Sequence, residues 1–243
     1  MKRAIVVGAS SGMGREVAKL LLRDEWQVGI MARRAEPLLE LKAEYPALVE
    51  VETCDVNAEE APQKLLNLID RMGGVELYFH ASGIGKQNET LEPTIESNTV
   101  QTNVQGFTRM IDTIFRYMAD NQGGHIAVIS SIAGVKGLGP APSYSASKAF
   151  QNTYIQALEQ LANNRRLNIR FTDIRPGFVD TPLLKGSRYP MEMDKVKTAK
   201  AIVKAIYANK HVRVIDWKYR IMVFFWRLLP PCLWRRLVLT KKQ

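Results

Sequence analysis

Residues that could cross-link the fold or hold a metal ion are scarce in this chain. Only two cysteines, Cys54 and Cys232, and three histidines occur among 243 residues. Two distant thiols cannot hold a secreted fold of this size together, and they fit a reducing compartment instead. The scattered histidines give little support to a metal site, and we predict none. With 16 glycines and 11 prolines the chain is neither collagen-like nor of low complexity, so a buried apolar core must stabilise it.

Long hydrophobic runs are also absent. The N-terminus is charged and then only briefly apolar, unlike a secretory signal peptide. The longest apolar stretch, residues 221–234, contains Arg227, Pro230 and Pro231, and it falls short of the roughly 20 residues that a membrane-spanning helix needs. We therefore expect a cytoplasmic protein.

Acidic residues are scarce at the C-terminal end. The formal net charge is +10, of which residues 211–243 contribute +7 and the first 210 residues only +3. Because most of the chain is close to neutral, the high net charge does not indicate a nucleic-acid partner. The positive charge belongs to a local feature of the C-terminus.

The rest of the composition is that of a globular protein, with 46% hydrophobic and 24% charged residues. Short β-branched runs alternate with helical patterns, which is typical of βαβ units around a parallel sheet. The predicted strands are Arg3–Val7, Gln27–Ala32, Val49–Cys54, Glu76–His80, His125–Ser130, Asn168–Ile174 and Val212–Ile215. The predicted helices are Gly12–Arg23, Glu36–Glu44, Glu59–Met72, Asn98–Asn121, Ser143–Asn163 and Lys195–Asn209. We predict an α/β, Rossmann-type, doubly wound domain over residues 1–216, with seven parallel strands and helices on both faces, and an amphipathic appendage over residues 217–243.

A glycine-rich turn follows the first strand. Glycines at this corner allow a tight turn and a close approach to a pyrophosphate at the N-terminus of the next helix. The spacing is GxxxGxG and no Gly-Lys-Ser/Thr follows, which argues against a nucleoside-triphosphate loop. The candidate residues are Gly8, Ser10, Ser11, Gly12, Met13 and Gly14. The alternative is an ordinary strand–helix turn.

Two arginines, Arg33 and Arg34, end the second strand, where a dinucleotide fold reads the adenosine ribose. Guanidinium groups suit bidentate contact with a 2′-phosphate, whereas an acid would repel it. Arg15 could add a third cation. The pattern therefore favours NADP(H) over NAD(H). The alternative is that the two arginines are solvated and that Glu36 neutralises part of their charge.

The ends of the third and fourth strands supply further candidates at the same edge of the sheet. Asp55, followed by Val56, could accept from the adenine amino group, while Ala81 and Gly83 allow close approach to the adenosine. The alternative for Asp55 is the N-cap of a helix over residues 58–68.

Tyr144 and Lys148 open the helix after the fifth strand, four residues apart and therefore on one helix face. A free tyrosine titrates near pH 10, and a neighbouring ammonium favours its phenolate, which brings acid–base chemistry toward neutrality. Ser131, at the end of the fifth strand, can hold a carbonyl oxygen. By itself the pair could be a surface contact.

These motifs together resemble the short-chain dehydrogenase/reductase family, in its shorter form with the YxxxK spacing. The resemblance spans residues 1–215 and rests on Gly8, Gly12, Gly14, Asp55, Ala81-Ser82-Gly83, Asn103, Ser131, Tyr144, Lys148, Pro176-Gly177 and Thr181 in the family's order. It implies that Tyr144 is the proton donor and acceptor and that Lys148 lowers its pKa and binds the nicotinamide ribose. It further implies that Ser131 orients the substrate oxygen and that Asn103 holds a water in a proton relay. Cofactor contacts from Pro176, Gly177, Val179 and Thr181 are implied as well.

The chain departs from the family pattern at two strand ends. Val7 replaces the usual Thr, and His80-Ala81-Ser82-Gly83 replaces Asn-Asn-Ala-Gly. The lost side chains normally brace the central strands, so the hydrogen bonds there should differ. We expect His80 to be a core histidine without a catalytic part.

The family commonly forms homodimers or homotetramers through the helices predicted at 98–121 and 143–163. Candidate interface residues are Phe107, Met110, Ile111, Ile114, Phe115, Phe150, Tyr154, Leu158 and Leu161. Periodicity does not separate this interpretation from one in which they cover the sheet of a monomer.

Two segments bear on the substrate and on location. Residues 181–193 hold the family's substrate loop, and Leu183, Leu184, Tyr189, Met191 and Met193 suggest an apolar lid or a fixed loop. The tail from Trp217 places aromatic residues beside Lys and Arg, as in interfacial helices. Peripheral membrane contact, docking on a neighbouring subunit and closure over the protein's own pocket remain open.

The sequence therefore predicts an NADP(H)-dependent oxidoreductase that acts on CH–OH groups and interconverts a hydrophobic ketone or aldehyde with its alcohol. The alternative is an NADP(H)-binding regulator or scaffold that contacts a membrane or a protein through its tail. Both hypotheses predict that the protein binds the cofactor, and only the first predicts that it turns over a substrate.

Overall fold

A parallel β-sheet forms the centre of the computed structural model, which describes residues 1–181 and 191–237. Within these residues the sheet has seven strands, in the order β3-β2-β1-β4-β5-β6-β7, and every pair of neighbours is parallel. The strands are β1 (Arg3–Val7), β2 (Gln27–Ala32), β3 (Val49–Thr53), β4 (Leu77–His80), β5 (Gly124–Ile129), β6 (Ile169–Arg175) and β7 (Val212–Val214). The order reverses between β1 and β4, so the cofactor crevice of a doubly wound sheet is expected there.

Helices alternate with these strands along the chain. They are α1 (Gly12–Arg23), α2 (Glu36–Glu44), α3 (Ala61–Met72), α4 (Pro93–Val100), α5 (Phe107–Asp120), α6 (Pro142–Asn164), α7 (Lys195–Tyr207), α8 (Trp217–Leu228) and α9 (Pro231–Trp234). A π-helical segment, Gln101–Gly106, joins α4 to α5, and a 3₁₀ turn, Ile132–Val135, follows β5.

Two apolar cores cover the two faces of the sheet. One packs α3, α5 and α6 against the sheet through residues such as Leu68, Ile114 and Ile155. The other packs α1, α2 and α7 through residues such as Leu21, Leu38 and Ile202. The central strands β1 and β2 are apolar over nearly their whole length because both of their faces are buried. The predicted fold class is confirmed.

One helix begins earlier than the sequence predicted. The stretch predicted as a helix from Asn98 is preceded by α4, which begins at Pro93. The Glu92 side chain accepts a hydrogen bond from Thr94 N at 3.2 Å. A capping acid followed by proline at the first helical position is a start signal that the prediction overlooked.

The apolar residues of α5 face inward. Four of them are fully buried in the core of this chain and a fifth is almost fully buried: Phe107, Met110, Ile111, Ile114 and, fifth, Phe115. They therefore cover the sheet of their own chain. In α6, Leu158 is buried as well, Tyr154 is partly buried, and Phe150 and Leu161 are exposed. The structure thus gives the residues of α5 the role of covering the sheet, which periodicity had left undecided.

The tail packs against the rest of the chain through one face of α8. Tyr219 and Val223 are buried in a small cluster with Ile132. The short helix α9 is held by the Trp234 indole, whose Nε1 donates to Gly137 O at 2.7 Å. Among the described residues, no helix combines the length and the apolar character needed to cross a bilayer.

Candidate active site

The glycine-rich turn joins β1 to α1 at the carboxyl edge of the sheet. Gly8 has φ +91°, a conformation that favours glycine, and a Cβ at this position would lie 2.7 Å from the backbone of Ala81. Gly12, which starts α1, lies beside Thr181, since a Cβ there would be 3.4 Å from Thr181 Cγ2. The turn residues Ser10, Ser11, Met13 and Gly14 complete this corner. The fold therefore brings the turn, Ala81 and Thr181 to one place.

Two exposed arginines follow β2 beside this turn. The Nη2 of Arg34 donates to Ser10 Oγ at 3.1 Å, and Arg33 Nη1 lies 4.0 Å from Asp55 Oδ2. Arg15, expected as a third cation, points instead to α2, where it donates to Pro37 O (2.6 Å) and Glu40 Oε2 (2.8 Å). The positive charge available beside the turn therefore comes from Arg33 and Arg34.

Asp55 caps a turn rather than a helix. Its Oδ1 accepts from Asn57 N at 3.0 Å, and α3 begins only at Ala61. The alternative that Asp55 is the N-cap of a helix over residues 58–68 is therefore wrong. Val56, the next residue, is buried.

Asn103 lies within the π-helical segment and fixes the loop that follows β4. Its Oδ1 accepts from Ile84 N at 2.9 Å, and its Nδ2 donates to Ile84 O at 2.7 Å and to Ser147 Oγ at 3.1 Å. Single π-helical turns within α-helices are frequent at functional sites. The same loop holds Gly83, where a Cβ would lie 3.6 Å from Lys148 Nζ.

Tyr144 and Lys148 share the face of α6 that points into the site. The Lys148 Nζ lies 5.8 Å from the centroid of the Tyr144 ring. The ring packs on the backbone of Gly85, since a Cβ at Gly85 would lie 2.4 Å from Tyr144 Cδ2. The predicted one-turn spacing is thus realised beside Gly83 and Gly85, with Lys148 buried and Tyr144 partly buried.

Lys148 is a buried cation. Its Nζ donates to Ile129 O at 3.1 Å and to Gln151 Oε1 at 2.8 Å, and the side chain is almost inaccessible to solvent. Burial lowers the pKa of Lys148 to about 8, against an opposing effect of the Asp173 carboxylate. Lys148 can therefore change its charge close to neutral pH.

Gln151 is a residue of the site that the sequence analysis missed. It is fully buried, and its Nε2 donates to Asn103 O at 2.9 Å while its Oε1 accepts from Lys148. The amide therefore connects the Lys148 ammonium to the backbone carbonyl of Asn103, the residue that the resemblance implies holds a water in a proton relay. Its position three residues after Lys148, on the same helix face, is the signal that could have revealed it.

Ser131 lies two residues after the end of β5 and caps the 3₁₀ turn. It is buried, and its Oγ accepts from Ala133 N at 3.0 Å. A hydroxyl that accepts one hydrogen bond still has its own proton to donate. Ser131 can therefore donate to a substrate oxygen while its position is fixed by the turn.

The segment after β6 lies under α8. The Tyr219 ring covers Gly177, where a Cβ would fall 2.4 Å from Tyr219 Cε1, and Phe178 N donates to Tyr219 Oη at 3.2 Å. Pro176 and Val179 are buried, and Val179 forms a β-bridge with Met193. This bridge brings the chain just before the predicted substrate loop against the last residue of that loop. Leu183, Leu184 and Tyr189 lie outside the described residues.

His80 belongs to the core. Its Nδ1 shares a 2.9 Å hydrogen bond with Tyr78 Oη. Burial, and next the nearby Lys148 charge, lower the pKa of His80 to about 3. The ring is therefore neutral at any ordinary pH, as expected of a histidine without an acid–base part.

Comparison with known proteins agrees with this architecture. A family model described as short chain dehydrogenase matches residues 2–192. An uncharacterised oxidoreductase of Mycobacterium tuberculosis is 31% identical over 97% of this chain and 96% of its own length. A bovine 3-oxoacyl-[acyl-carrier-protein] reductase is 27% identical over 88% of this chain and 96% of its own length.

A solved structure gives the same result for the fold. A variant of actinorhodin polyketide ketoreductase, crystallised with NADPH, superposes with a TM-score of 0.77 at 24% identity, over 88% of this chain and 95% of that one. The family model covers most of the chain, and the relative from Mycobacterium tuberculosis is similar over nearly its whole length. The order of the strands agrees with both findings. This chain belongs to the short-chain dehydrogenase/reductase family of oxidoreductases.

Proposed function

We propose that the protein is an NADP(H)-dependent oxidoreductase that interconverts an apolar ketone or aldehyde with its alcohol. The observation that carries this proposal is the position of Tyr144 and Lys148 on one face of α6, with the Lys148 Nζ 5.8 Å from the Tyr144 ring centroid. A phenol and an ammonium in this arrangement form an acid–base pair, because the positive charge favours the phenolate.

The residues around the glycine turn fit a phosphorylated dinucleotide. Gly8 and Gly12 leave the backbone open to a pyrophosphate at the N-terminus of α1. Arg33 and Arg34 stand at the end of β2, and Arg34 already contacts Ser10 of the turn. These guanidinium groups would hold a 2′-phosphate, and Asp55 and Val56 would border the adenine.

NADP(H), when bound, supplies or accepts the hydride. Tyr144 gives its proton to the developing alkoxide in the reductive direction, and Ser131 steadies the same oxygen with its hydroxyl. Lys148, held by Ile129 O and Gln151 Oε1, would keep one N–H donor for the ribose, and its positive charge favours the phenolate of Tyr144. Asn103 takes part in this proposal through its backbone carbonyl, which accepts a hydrogen bond from Gln151. Gln151 in turn accepts one from the Lys148 ammonium.

The segment that would border the nicotinamide is largely apolar. Pro176, Gly177 and Val179 come just before the predicted substrate loop, which begins at Thr181, and Phe178 and Met193 pack against the cluster around Tyr219. The relative from cattle is a reductase of 3-oxoacyl groups, and the solved relative is a polyketide ketoreductase. These observations support a hydrophobic carbonyl substrate rather than a sugar-like one.

We also propose that the protein forms homodimers or homotetramers through α6. Its exposed face carries an uncharged row that a second copy could cover, formed by Ala146, Phe150, Thr153, Ala157 and Leu161. Such a row is self-complementary around a two-fold axis, which makes a second copy of the chain the fitting partner.

The test of turnover is the oxidation of NADPH, followed by its absorbance, with a panel of ketones that includes long-chain 3-keto compounds and steroids. Tyr144→Phe should lower kcat by roughly 10²- to 10⁴-fold with NADPH still bound, because only the acid–base group is removed. Tyr207→Phe, on the far helix α7, serves as the matched control and should keep its activity. Cofactor binding without Tyr144-dependent turnover of any substrate would instead favour the regulator or scaffold.

The test of cofactor choice is the ratio of kcat/KM for NADPH and NADH. Replacing Arg33 and Arg34 by alanine should reduce the preference for NADPH at least about tenfold, since hydrogen bonds to a charged group are strong. Arg15→Ala is the control, because Arg15 is occupied by Glu40. An unchanged ratio in the double variant would refute the assignment of the 2′-phosphate to these arginines.

A further inference from the structure

The outer face of α8 is apolar although it points to solvent. Trp217, Ile221, Phe224, Phe225 and Leu228 are each between 49% and 63% exposed. Their spacing of four, three, one and three residues places them within about 100° of the helix circumference. Scattered exposed apolar residues are normal, but a continuous row of five on one helix marks an interaction surface.

The opposite face of α8 is fixed to the protein. Tyr219 is buried over Gly177, its Oη accepts from Phe178 N and donates to Met191 O, and Val223 packs on Ile132. Lys136 Nζ also donates to Leu229 O at 2.9 Å, just after the helix ends. These contacts attach α8 to the described part of the chain through its inner face, and the outer row stays exposed there.

Positive charges border the apolar row on both sides. Lys218 follows one edge, while Arg220 and Arg227 lie along the other, and all three are exposed. Arg235 and Arg236 follow after α9. From residue 217 to residue 237 the sequence contains no acid, no side-chain amide and no Ser or Thr hydroxyl. The surface therefore offers hydrocarbon, aromatic rings and positive charge, with little that would specify a protein partner by hydrogen bonding.

We propose that the outer face of α8 binds an anionic lipid surface, with its apolar row in the headgroup region and its cations on lipid phosphates. Aromatic rings beside Lys and Arg are characteristic of helices that lie in the membrane interface, and juxtamembrane cations are attracted to anionic leaflets. A second copy of this chain is a poorer occupant, because two such faces would bring like charges together and residues 217–237 contain no acid to neutralise them.

Binding of α8 to a membrane goes beyond the proposed reaction, and it would also place the candidate active site close to the bilayer. The inner face of α8 touches Ile132, next to Ser131, and Gly177 and Phe178 after β6. A membrane bound to the outer face would thus lie about one helix diameter, roughly 10 Å, from these loops. An apolar carbonyl compound dissolved in the bilayer would be close to the site.

The experiment is sedimentation of the full chain with vesicles of phosphatidylcholine alone or mixed with phosphatidylserine. We expect the protein to pellet with the mixed vesicles at low salt and at least tenfold less with phosphatidylcholine alone or at high salt. A variant with Ile221→Gln, Phe224→Gln and Phe225→Gln should bind the mixed vesicles at least tenfold more weakly. The control variant, Leu39→Gln with Leu91→Gln, removes exposed leucines elsewhere and should bind as the wild type does.

Turnover of a water-soluble ketone should be unchanged in the triple variant, which shows that it is folded and separates this proposal from the proposed reaction. Wild-type protein that stays in the supernatant with the mixed vesicles would overturn the proposal. So would a triple variant that pellets like the wild type. A wild-type oligomer that the triple variant loses, without vesicle binding, would assign the face to a second copy instead.

Discussion

The ammonium of Lys148 is a buried charge held by acceptors from two parts of the chain. Ile129 provides a backbone carbonyl from β5, and Gln151 provides a side-chain oxygen from α6 itself. Asp173, which is buried and paired with Arg175 at 2.6 Å, adds a negative charge that favours the ammonium. Burial still dominates, so the pKa of Lys148 falls to about 8. A residue with these partners is poised to lose its proton in the working range of an enzyme.

Gln151 should influence activity through the charge on Lys148. In Gln151→Leu the ammonium loses an acceptor, so the pKa of Lys148 should fall further, and kcat should drop roughly tenfold. In Gln151→Glu a carboxylate faces the ammonium and should raise that pKa. The pH at which activity declines on the alkaline side should therefore move down in the first variant and up in the second, as measured by kcat against pH.

The matched control is Gln156→Leu, an exposed glutamine on the same helix. It should leave the pH profile unchanged. If both Gln151 variants shift the profile in the same direction, or neither shifts it, Gln151 has a packing role only.

Cofactor affinity should depend on pH through Lys148. Since the pKa of Lys148 is about 8, the side chain is charged below that pH and neutral above it, and only the charged form is a strong donor to the ribose. NADPH should therefore bind more weakly as pH rises through 8, approaching tenfold per pH unit at the upper end. The neighbouring His80 stays neutral throughout, because its pKa is about 3.

Fluorescence titration of NADPH between about pH 7 and about pH 9.5 measures this dependence. Lys148→Met should bind more weakly near neutrality and lose the dependence on pH. A wild-type affinity that stays constant over the range would contradict the prediction.

At the scale of elements, α8 is fixed chiefly by one side chain. The Tyr219 ring fills the space over Gly177, and its hydroxyl bonds to Phe178 N and Met191 O. Glycine is required at 177 for this close approach, as is shown by the 2.4 Å separation that a Cβ would have from the ring. A glycine that the resemblance assigns to the cofactor loop thus also receives the tail helix.

Tyr219→Ala should detach α8 from the loops after β5 and β6. Loss of a buried aromatic ring costs about 3–5 kcal/mol, and among the described residues of the tail only Val223 and Trp234 are buried besides Tyr219. Trypsin should then cut rapidly at Lys218, Arg220 or Arg227, which limited proteolysis with mass spectrometry can follow. Tyr219→Phe keeps the ring and should stay nearly as resistant as the wild type. Equal cleavage of all three proteins would show that other contacts hold the tail.

For the whole molecule, the sheet divides the apolar residues into two cores, and the helices cover both of its faces. The apolar residues of α5 are buried in the core of this chain. We therefore assign contact with a second copy to the exposed, uncharged row of α6. The row and the outer face of α8 are separate surfaces with different chemistry, one neutral and one positively charged. They can be tested independently.

A variant with Phe150→Glu and Leu161→Glu should be monomeric where the wild type is a dimer or tetramer. Like charges facing each other across a two-fold axis, without opposite charges to neutralise them, oppose association. Light scattering coupled to size-exclusion chromatography gives the mass. Phe224→Glu on α8 is the control and should leave it unchanged. A monomeric wild type would refute the proposed assembly.

The order of elements and most of the site were accessible from the sequence alone. Alternating strand and helix patterns predict the order of the elements from local periodicity. The candidate site residues follow from the order of all the motifs taken together, on which the resemblance to the family rests. Tertiary structure decided what each face meets. It turned α5 inward, brought Gln151 against the carbonyl of Asn103 from 48 residues away, and left the row from Trp217 to Leu228 facing solvent. Periodicity shows that a helix has an apolar face, but the partner of that face depends on contacts between distant parts of the chain, which only the folded packing supplies.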